Sequence, residues 1–512
     1  MNAKKTGICS LLPLLMLLLS MPAFSQPGRM LRVEIETRQG SRDIEVLPMG
    51  EEGVLVFYKT FSQAQDGMVQ WHFKAYDSDL KEKWHLEYPL SQRMDILSQV
   101  YADGKARMLF AGRTGGQVKE AAIIAEIDHL GTSFNTSEVS IPERQEIHYF
   151  SYVAPGYVIG AHDRRFATSV WWIAEGGTSM PVLHGLKGET WLDDASWSVQ
   201  EQELLLLFKH RESRKKFGLT LTAHGPDGKR RWEQSLPDDK DRTPVTGRFL
   251  SHDALTLVAG AYTTEDKLSS FSSASPETDF VSGFFSYMIN KGKPQQIRIF
   301  PFSEITNYFS HLTYNEVSRM KQGRKGENVP LEFNVLFRQM AAQDASHVIM
   351  AEAYFPKYHY VTRMAYDYYG RPVPTNYTVF DGYQYTNAFV MALDTVGLKQ
   401  WDQNFPIRNI LTMELRNYVA LLYDGEETLL AYLDQGRIAA QINRGNTVTG
   451  PFDYTEVEGA DPGKKAQEHQ DEQIRYWYDR YVLCSGFQKI RSQDAALGER
   501  RHVFYLTKVA YR

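Results

Sequence analysis

The sequence contains few cysteines. Its 512 residues include only Cys9 and Cys484, and no C-x-x-C motif. Because Cys9 lies within an N-terminal apolar run typical of a removable leader, the rest of the chain has one thiol and forms no intramolecular disulfide. Its stability must therefore come from the burial of apolar surface, which a chain of this length can supply. The run RYVLCSGF around Cys484 favours a small, buried hydrophobic side chain.

Long apolar runs are missing beyond the first 25 residues. The single long run, ICSLLPLLMLLLSMPAF, follows Lys4 and Lys5, and Ala23 and Ser25 fit a signal peptidase site. It is shorter than the roughly 20 residues of a spanning helix, and its cysteine lies at its start, where a lipoprotein would not place it. We expect residues 1–25 to be cleaved, and the mature chain to be secreted or periplasmic, without a membrane span.

An excess of positive charge and recognisable catalytic motifs are also lacking. The formal net charge is −5, and it becomes −7 once residues 1–25 with their two lysines are removed. This balance argues against nucleic acid as a partner. The sequence has no G-x-S-x-G, no H-E-x-x-H and no phosphate-binding loop. We therefore predict no cofactor and no metal, and we favour a protein without catalytic activity.

What is present is a repeat. An apolar-alternating strand is followed by an Asp among turn formers, a Trp five or seven residues after the Asp, and a Pro five residues after the Trp. Turn formers between two such strands predict a β-hairpin, which the Trp anchors. The three copies are FKAYDSDLKEKWHLEYP (73–89, with Asp77 and Trp84), LTAHGPDGKRRWEQSLP (221–237, with Asp227 and Trp232) and FVMALDTVGLKQWDQNFP (389–406, with Asp394 and Trp401).

A second recurrent element precedes each hairpin. It is a short run of β-forming residues that is apolar nearly throughout, which predicts burial on both faces. Units of four short strands over 40 to 60 residues are typical of a β-propeller. The apolar runs are GVLVFYK (53–59), RMLFAGR (107–113), GYVIGAH (156–162), ELLLLFK (203–209), LTLVAGAY (256–262) and HVIMAEAY (347–354).

The hairpin pattern L-D-x-x-G-x-x-x-W at 393–401 resembles the outer strands of quinoprotein-like (PQQ/WD40-like) bacterial propeller repeats. The resemblance implies an all-β fold, a single propeller over residues 26–512. We predict seven or eight four-stranded blades, with eight if residues 428–443 form their own blade. The ring is expected to close by pairing strand 30–38 with the strand at 502–511, which would leave no unpaired edge. The adjacent cysteines of quinone-dependent members are missing from this chain.

Loop positions suggest one functional face. Segments after the second strand of successive units begin with basic residues, which predicts a basic face suited to anionic groups. Four long loops are expected, at 263–281, 315–332, 355–386 and 461–473, and long loops are commonly functional. The third is rich in tyrosine, which suits binding surfaces. The candidate ligand-binding residues are Lys59, Arg113, His162, Arg164, Lys209, Tyr358, Tyr360, Tyr366, Tyr368, Tyr369 and Tyr383.

Two functions stay open at this point. The first is a non-catalytic binding or scaffold propeller that recognises a glycan, a peptide or an envelope protein on its loop-rich face. The alternative is a carbohydrate-active hydrolase or lyase with a central carboxylate pocket, because catalytic carboxylates of a propeller converge from distant blades without a local motif. For the tyrosines, the explanation that competes with ligand binding is packing of the loop onto the neighbouring blade. For the basic residues, it is solubility.

Overall fold

The structure is a computed structural model. It does not describe the predicted signal peptide at 1–25, the predicted loop at 315–332 or most of the predicted loop at 263–281. It describes residues 30–37, 44–60, 67–114, 117–118, 122–142, 144–174, 179–213, 216–238, 242–251, 256–264, 280–289, 297–306, 333–343, 346–450, 452–457, 466–491 and 500–511.

The described strands form eight antiparallel sheets, numbered here in chain order. Sheet 1 contains β2 to β5 (Ile44–Pro48, Val54–Thr60, Met68–Tyr76, Glu82–Ser91). Sheet 2 contains β6 to β10 (Met94–Ala102, Lys105–Thr114, Gln117–Val118, Ala122–Asp128, Phe134–Val139). Sheet 3 contains β11 to β14 (Glu146–Val153, Gly156–His162, Thr168–Ala174, Ser179–Val182). Sheet 4 contains β15 to β18 (Glu189–Ser198, Glu203–Ser213, Lys216–His224, Arg230–Ser235).

The remaining sheets follow the same plan. Sheet 5 contains β19, β20, β22 and β23 (Thr243–Ser251, Thr256–Thr263, Gly283–Ile289, Arg298–Pro301). Sheet 6 contains β21 and β24 to β28 (Phe280–Val281, Phe333–Gln343, Ser346–Tyr366, Pro372–Asp394, Lys399–Pro406, Leu411–Thr412). Sheet 7 contains β29 to β33 (Ala420–Tyr423, Glu427–Asp434, Arg437–Arg444, Thr447–Val448, Asp453–Glu456). Sheet 8 contains β34 to β36 and β1 (Ala466–Tyr478, Tyr481–Arg491, Arg500–Ala510, Leu31–Thr37). Short 3₁₀ turns span Gly50–Glu52 and Phe302–Glu304.

The fold is all-β with propeller architecture, as the sequence predicts. Apolar clusters join each sheet to the next one along the chain. In β7, Met108 and Phe110 pack toward sheet 1, whereas Leu109 and Ala111 pack toward sheet 3. Because alternate residues of a strand point to opposite faces, a strand between two neighbouring sheets is apolar at every position. This explains the continuous apolar runs, which lie in inner strands of their sheets.

The N-terminal strand joins the last sheet. β1 pairs with β36 in antiparallel register, from Leu31 opposite Lys508 to Thr37 opposite His502, which is the predicted pairing. Sheet 8 also packs on sheet 1, since Trp477 and Leu483 share one cluster with Val54 and Val56 of β3. The Trp477 indole donates a hydrogen bond to the Gly53 carbonyl at 2.8 Å.

The repeated hairpins share one turn. The Asp77 carboxylate accepts hydrogen bonds from the amides of Asp79 and Lys81. The Asp394 carboxylate likewise accepts from the amides of Val396 and Leu398. In the second copy the first position of the turn is Gly225, whose amide donates to the Lys229 carbonyl at 3.0 Å. Asp227 therefore lies two residues later in its turn, which accounts for the shorter Asp-to-Trp spacing.

The three repeat tryptophans occupy equivalent places. Each lies in the last long strand of its sheet, opposite an alanine of the preceding strand, and each packs toward the next sheet. Trp401 is buried, as predicted, while Trp84 and Trp232 are half-buried. The Trp84 indole donates to the His129 carbonyl of sheet 2 at 3.1 Å.

Buried histidines make the fold sensitive to acid. His224 is fully buried, its Nε2 lies 2.9 Å from the Thr222 hydroxyl, and burial lowers its pKa to about 4. The unfolded chain binds a proton near pH 6.5, so the stability that the neutral imidazole contributes is present above that pH and is lost as pH falls toward 4. Between pH 7 and pH 4, we expect the free energy of unfolding of wild type to fall by about 2–3 kcal/mol more than that of a His224→Gln variant, at 1.36 kcal/mol per pKa unit. Urea unfolding at both pH values measures this, and equal losses would contradict it.

Candidate functional site

The tyrosine-rich segment 355–386 is a ribbon rather than the predicted loop. β25 and β26 stay paired from Ser346 opposite Asp394 to Tyr366 opposite Pro372. Most residues of its outer part are exposed, so the ribbon extends beyond the sheet. The portion from Tyr358 to Tyr366 spans roughly 27 Å at about 3.4 Å per residue. The segment is rich in β-forming Tyr, Thr and Val, but these strands are far longer than the usual 3 to 10 residues. Residues 355–383 are called the arm below.

One face of the arm is aromatic. Alternation along β25 places Tyr358, Tyr360, Met364 and Tyr366 on the same face, and the register adds Phe380 from β26. Tyr360 is 79% exposed and Tyr366 is 75% exposed. The Tyr358 and Phe380 rings lie 5.4 Å apart. An exposed apolar surface of this kind marks an interaction site more often than chance.

The tip of the arm uses the same turn as the repeated hairpins. The Asp367 carboxylate accepts hydrogen bonds from the amides of Tyr369 and Arg371 at 2.9 and 2.8 Å. Gly370 has a φ of 73°, a left-handed conformation that favours glycine. The turn leaves Tyr368 96% exposed and Tyr369 80% exposed. The tip therefore presents two tyrosines on an ordered backbone.

The base of the arm is fixed to the segment that links sheets 6 and 7. Tyr383 and Gln384 pair with Thr412 and Leu411 of β28. A side chain at Gly382 would lie 2.5 Å from the Thr412 carbonyl oxygen, so only glycine fits there. Tyr383 is half-buried at this base, unlike the other tyrosines proposed from the sequence.

A cavity of about 860 Å³ adjoins the base of the arm. Its size lies within the roughly 300–1,000 Å³ of typical ligand pockets. The linker 409–414, the 433–435 segment of sheet 7, the 469–475 segment of β34 and residues 44–46 of β2 all contribute to its wall. Sheets 6, 7, 8 and 1 thus meet at this cavity.

The cavity wall is polar, and Glu472 is its most connected group. The Glu472 carboxylate accepts hydrogen bonds from the Gly436 amide at 2.9 Å and the Tyr505 hydroxyl at 2.8 Å. His469 Nδ1 lies 2.8 Å from the same carboxylate. The Gly436 contact ties β34 to sheet 7, and the Tyr505 contact ties it to β36. Residues 466–473 belong to β34, so the prediction of a loop at 461–473 is wrong for that part.

Asp434 is a second carboxyl group in the wall. Burial raises its pKa, Arg437 lowers it and the Glu472 charge raises it again. Asp471, also in the wall, has a φ of 50° and lies where the register of β34 against β35 shifts between Gln470 and Gln473. Such β-bulges occur often beside binding sites, because they redirect a side chain.

The basic residues proposed from the sequence do not form one exposed face. Lys59 pairs with Asp95 at 2.5 Å and its side chain is 11% exposed. His162 and Lys209 are buried within β12 and β16. Arg164 is exposed in the turn after β12, and Arg113 lies in β7, where its side chain is outside the described part. Their role in ligand binding stays a prediction.

Lys209 lines a second, smaller cavity of about 170 Å³, and His162 contacts His148 in its wall. His148 Nε2 accepts a hydrogen bond from the Leu192 amide at 3.1 Å, so its Nδ1 carries the proton and donates to His162 Nδ1 at 3.2 Å. Burial is the largest cause that lowers the pKa of both histidines. Lys209 and Asp193 line the same cavity, and Asp193 accepts from the Gly247 amide at 3.0 Å.

Sequence reasoning found the aromatic arm but missed the larger cavity. Asp434 comes from β30 of sheet 7, whereas His469 and Glu472 come from β34 of sheet 8, and no local spacing connects the two strands. In the described part of the chain, no helix has the length and apolar character needed to cross a membrane.

No known protein family and no curated protein matches this sequence. Solved structures of similar shape include the polysaccharide lyase Uly1, with 11% identity and a TM-score of 0.38 over 81% of this chain and 89% of that one. The β-propeller domain of the Trilobed protease from Pyrococcus furiosus has 10% identity and a TM-score of 0.36, over 80% and 95% of the two chains. Sqt1 of Saccharomyces cerevisiae has 10% identity and a TM-score of 0.41, over 92% and 99%. We draw nothing about function from them.

Proposed function

We propose that this chain is a secreted or periplasmic binding propeller without catalytic activity, and that it holds a glycan, a peptide or an envelope protein on its arm. The cavity at the base of the arm would take the end or a side group of the same ligand. The observation that carries the proposal is the arm, an ordered ribbon whose aromatic side chains are turned to solvent. The proposed compartment rests on the signal peptide that the sequence predicts at residues 1–25.

Physical chemistry favours the arm as the source of affinity. Tyrosine offers a large, rigid contact area with a polar tip at a low entropic cost. Cross-strand pairing and the Asp367 turn already order the backbone, so binding loses little conformational freedom. Because Lys59 is paired and Lys209 is buried, charge would contribute less than the aromatic contacts.

The experiment is a glycan, peptide and envelope-extract binding screen with the mature chain, residues 26–512, against an arm-shortened variant. Replacing residues 358–381 by Asn-Gly keeps the inner part of the ribbon and removes the exposed part. We expect this variant to bind none of the ligands found with wild type. Its melting temperature should stay close to that of wild type, because removal of the outer part of the arm breaks few buried contacts.

A matched pair of substitutions tests the faces of the arm separately. Tyr360→Ser with Tyr366→Ser removes two aromatic contacts and should weaken binding roughly 10- to 100-fold, on the order of 1–3 kcal/mol. His359→Ser with Arg363→Ser changes the opposite face and should leave affinity nearly unchanged. Retention of all ligands by the folded arm-shortened protein would show that the tyrosines are not the site.

A second candidate, a carbohydrate-active hydrolase or lyase, is supported by Asp434. A carboxyl group whose pKa is raised by burial in a cavity is what a general acid requires. Turnover of a polysaccharide by wild type, and its loss in Asp434→Asn with binding retained, would favour the enzyme over the binding protein.

A further inference from the structure

The outer strands of sheet 1 carry a cluster of two histidines and a glutamate that lies apart from the arm and the cavity. His72 of β4 pairs directly with Glu87 of β5, and His85 lies two residues before Glu87 on the same strand. Alternation places His85 and Glu87 on one face of the sheet, and cross-strand pairing places His72 beside them. In the described part of the chain, His72, His85 and Glu87 form the one group of three side chains whose possible metal-ligand atoms all lie within 4.8 Å of one another.

The distances between the three ligand atoms match a metal site. His72 Nδ1 lies 3.0 Å from His85 Nε2 and 3.4 Å from Glu87 Oε1, and His85 Nε2 lies 3.8 Å from Glu87 Oε1. Zinc binds nitrogen and oxygen at about 2.0–2.1 Å in tetrahedral geometry, which separates neighbouring ligand atoms by about 3.3–3.4 Å. The observed separations scatter around that value, so one ion can contact all three atoms with small side-chain adjustments.

The surroundings hold His72 in the form that a metal requires. The Thr60 hydroxyl lies 3.5 Å from the Gln70 carbonyl, to which it donates, and its oxygen lies 3.1 Å from His72 Nε2. In the tautomer with the proton on Nε2, the Thr60 oxygen accepts that proton and the Nδ1 lone pair is directed at His85 and Glu87. The Tyr58 ring stacks on the imidazole at 5.2 Å and fixes its plane. An outer partner of this kind is typical of metal-ligating histidines.

We propose that His72, His85 and Glu87 form a binding site for a divalent transition-metal ion of the zinc type. Two imidazoles and one carboxylate suit Zn²⁺ or Co²⁺, whereas Mg²⁺ and Ca²⁺ prefer oxygen ligands alone. The side chains of His85 and Glu87 are 32% and 50% exposed, so the fourth position opens to solvent and takes water. The ion would link β4 to β5, the edge strand of sheet 1.

The test is a titration of the mature chain with Co²⁺, followed by visible absorption, and with Zn²⁺, followed by calorimetry. We expect one ion per chain with the absorption of tetrahedral Co²⁺. Thr60→Val removes an outer partner and should weaken Co²⁺ binding by about 10- to 100-fold. His85→Gln and Glu87→Gln each remove a ligand and should weaken it by more than roughly 100-fold. Both ligand variants change exposed side chains, so circular dichroism should show an unchanged fold.

A matched control comes from another histidine and glutamate pair. His129 Nε2 lies 3.6 Å from Glu52 Oε2, and among the residues that the structure describes this pair belongs to no group of three ligands, so His129→Gln should leave Co²⁺ affinity unchanged. Without an ion, the 3.0 Å contact between His72 and His85 is a simple hydrogen bond. The proposal is overturned if wild type and a His72→Gln/His85→Gln variant bind Co²⁺ equally, or if wild type binds none.

Discussion

Deleting residues 26–37, and with them β1, is expected to lower the free energy of unfolding of the whole propeller by on the order of 3–5 kcal/mol. The deletion removes Leu31, Val33 and Ile35, which pack against the cluster between sheets 8 and 1, at about 1 kcal/mol each for half-burial. It also removes the hydrogen-bond ladder to β36 and the Arg32 guanidinium, which lies 4.4 Å above the Tyr505 ring.

Thermal and urea unfolding of the deleted chain measure this effect. Because the last sheet packs on the first, the loss should appear as an earlier single transition rather than as a separate edge transition. Val33→Asp with Ile35→Asp should reproduce much of it without a change in length, and Glu36→Ala, at an exposed position of the same strand, should not. An unchanged melting temperature after the deletion would mean that β1 is dispensable.

Replacing Glu352 by alanine is expected to lower the free energy of unfolding by about 3 kcal/mol. This is the lower end of the range for breaking a buried ion pair, because the Arg338 side chain is 24% exposed. The Glu352 side chain is fully buried in β25 and accepts from Arg338 at 2.6 Å and from the Tyr418 amide at 2.8 Å. Burial raises its pKa while Arg338 lowers it. The carboxylate thus joins sheet 6 to the segment that begins sheet 7.

The measurement is urea unfolding of Glu352→Ala beside a double variant, Glu352→Leu with Arg338→Met. Replacing both partners by apolar groups removes the buried charge and should be far less destabilising than the single change. If the double variant loses as much stability as Glu352→Ala, or if Glu352→Ala unfolds like wild type, the ion pair is not what holds the two sheets together.

The predictions that succeeded rest on local periodicity. Strand alternation, continuous apolar runs and Asp turns each require neighbouring residues alone, which is why the all-β fold and the equivalent register of the repeat tryptophans followed from the sequence. The pairing of β1 with β36 followed from a strand count at the two ends. Asp227 was misaligned by two residues because Gly225 takes the place of Asp in its turn.

The sequence by itself determined the class of strand at most positions and the presence of an aromatic segment, because side-chain period and composition are properties of adjacent residues. Only the tertiary structure decided that this segment is a paired ribbon, that Lys209 and His162 face inward, and that Asp434 and Glu472 share a cavity. The same holds for His72, His85 and Glu87, since the two histidines are 13 positions apart in the chain and 3.0 Å apart through the register of β4 against β5. Register and sheet order bring together residues that no local spacing connects, so sites built across strands depend on the fold rather than on a motif.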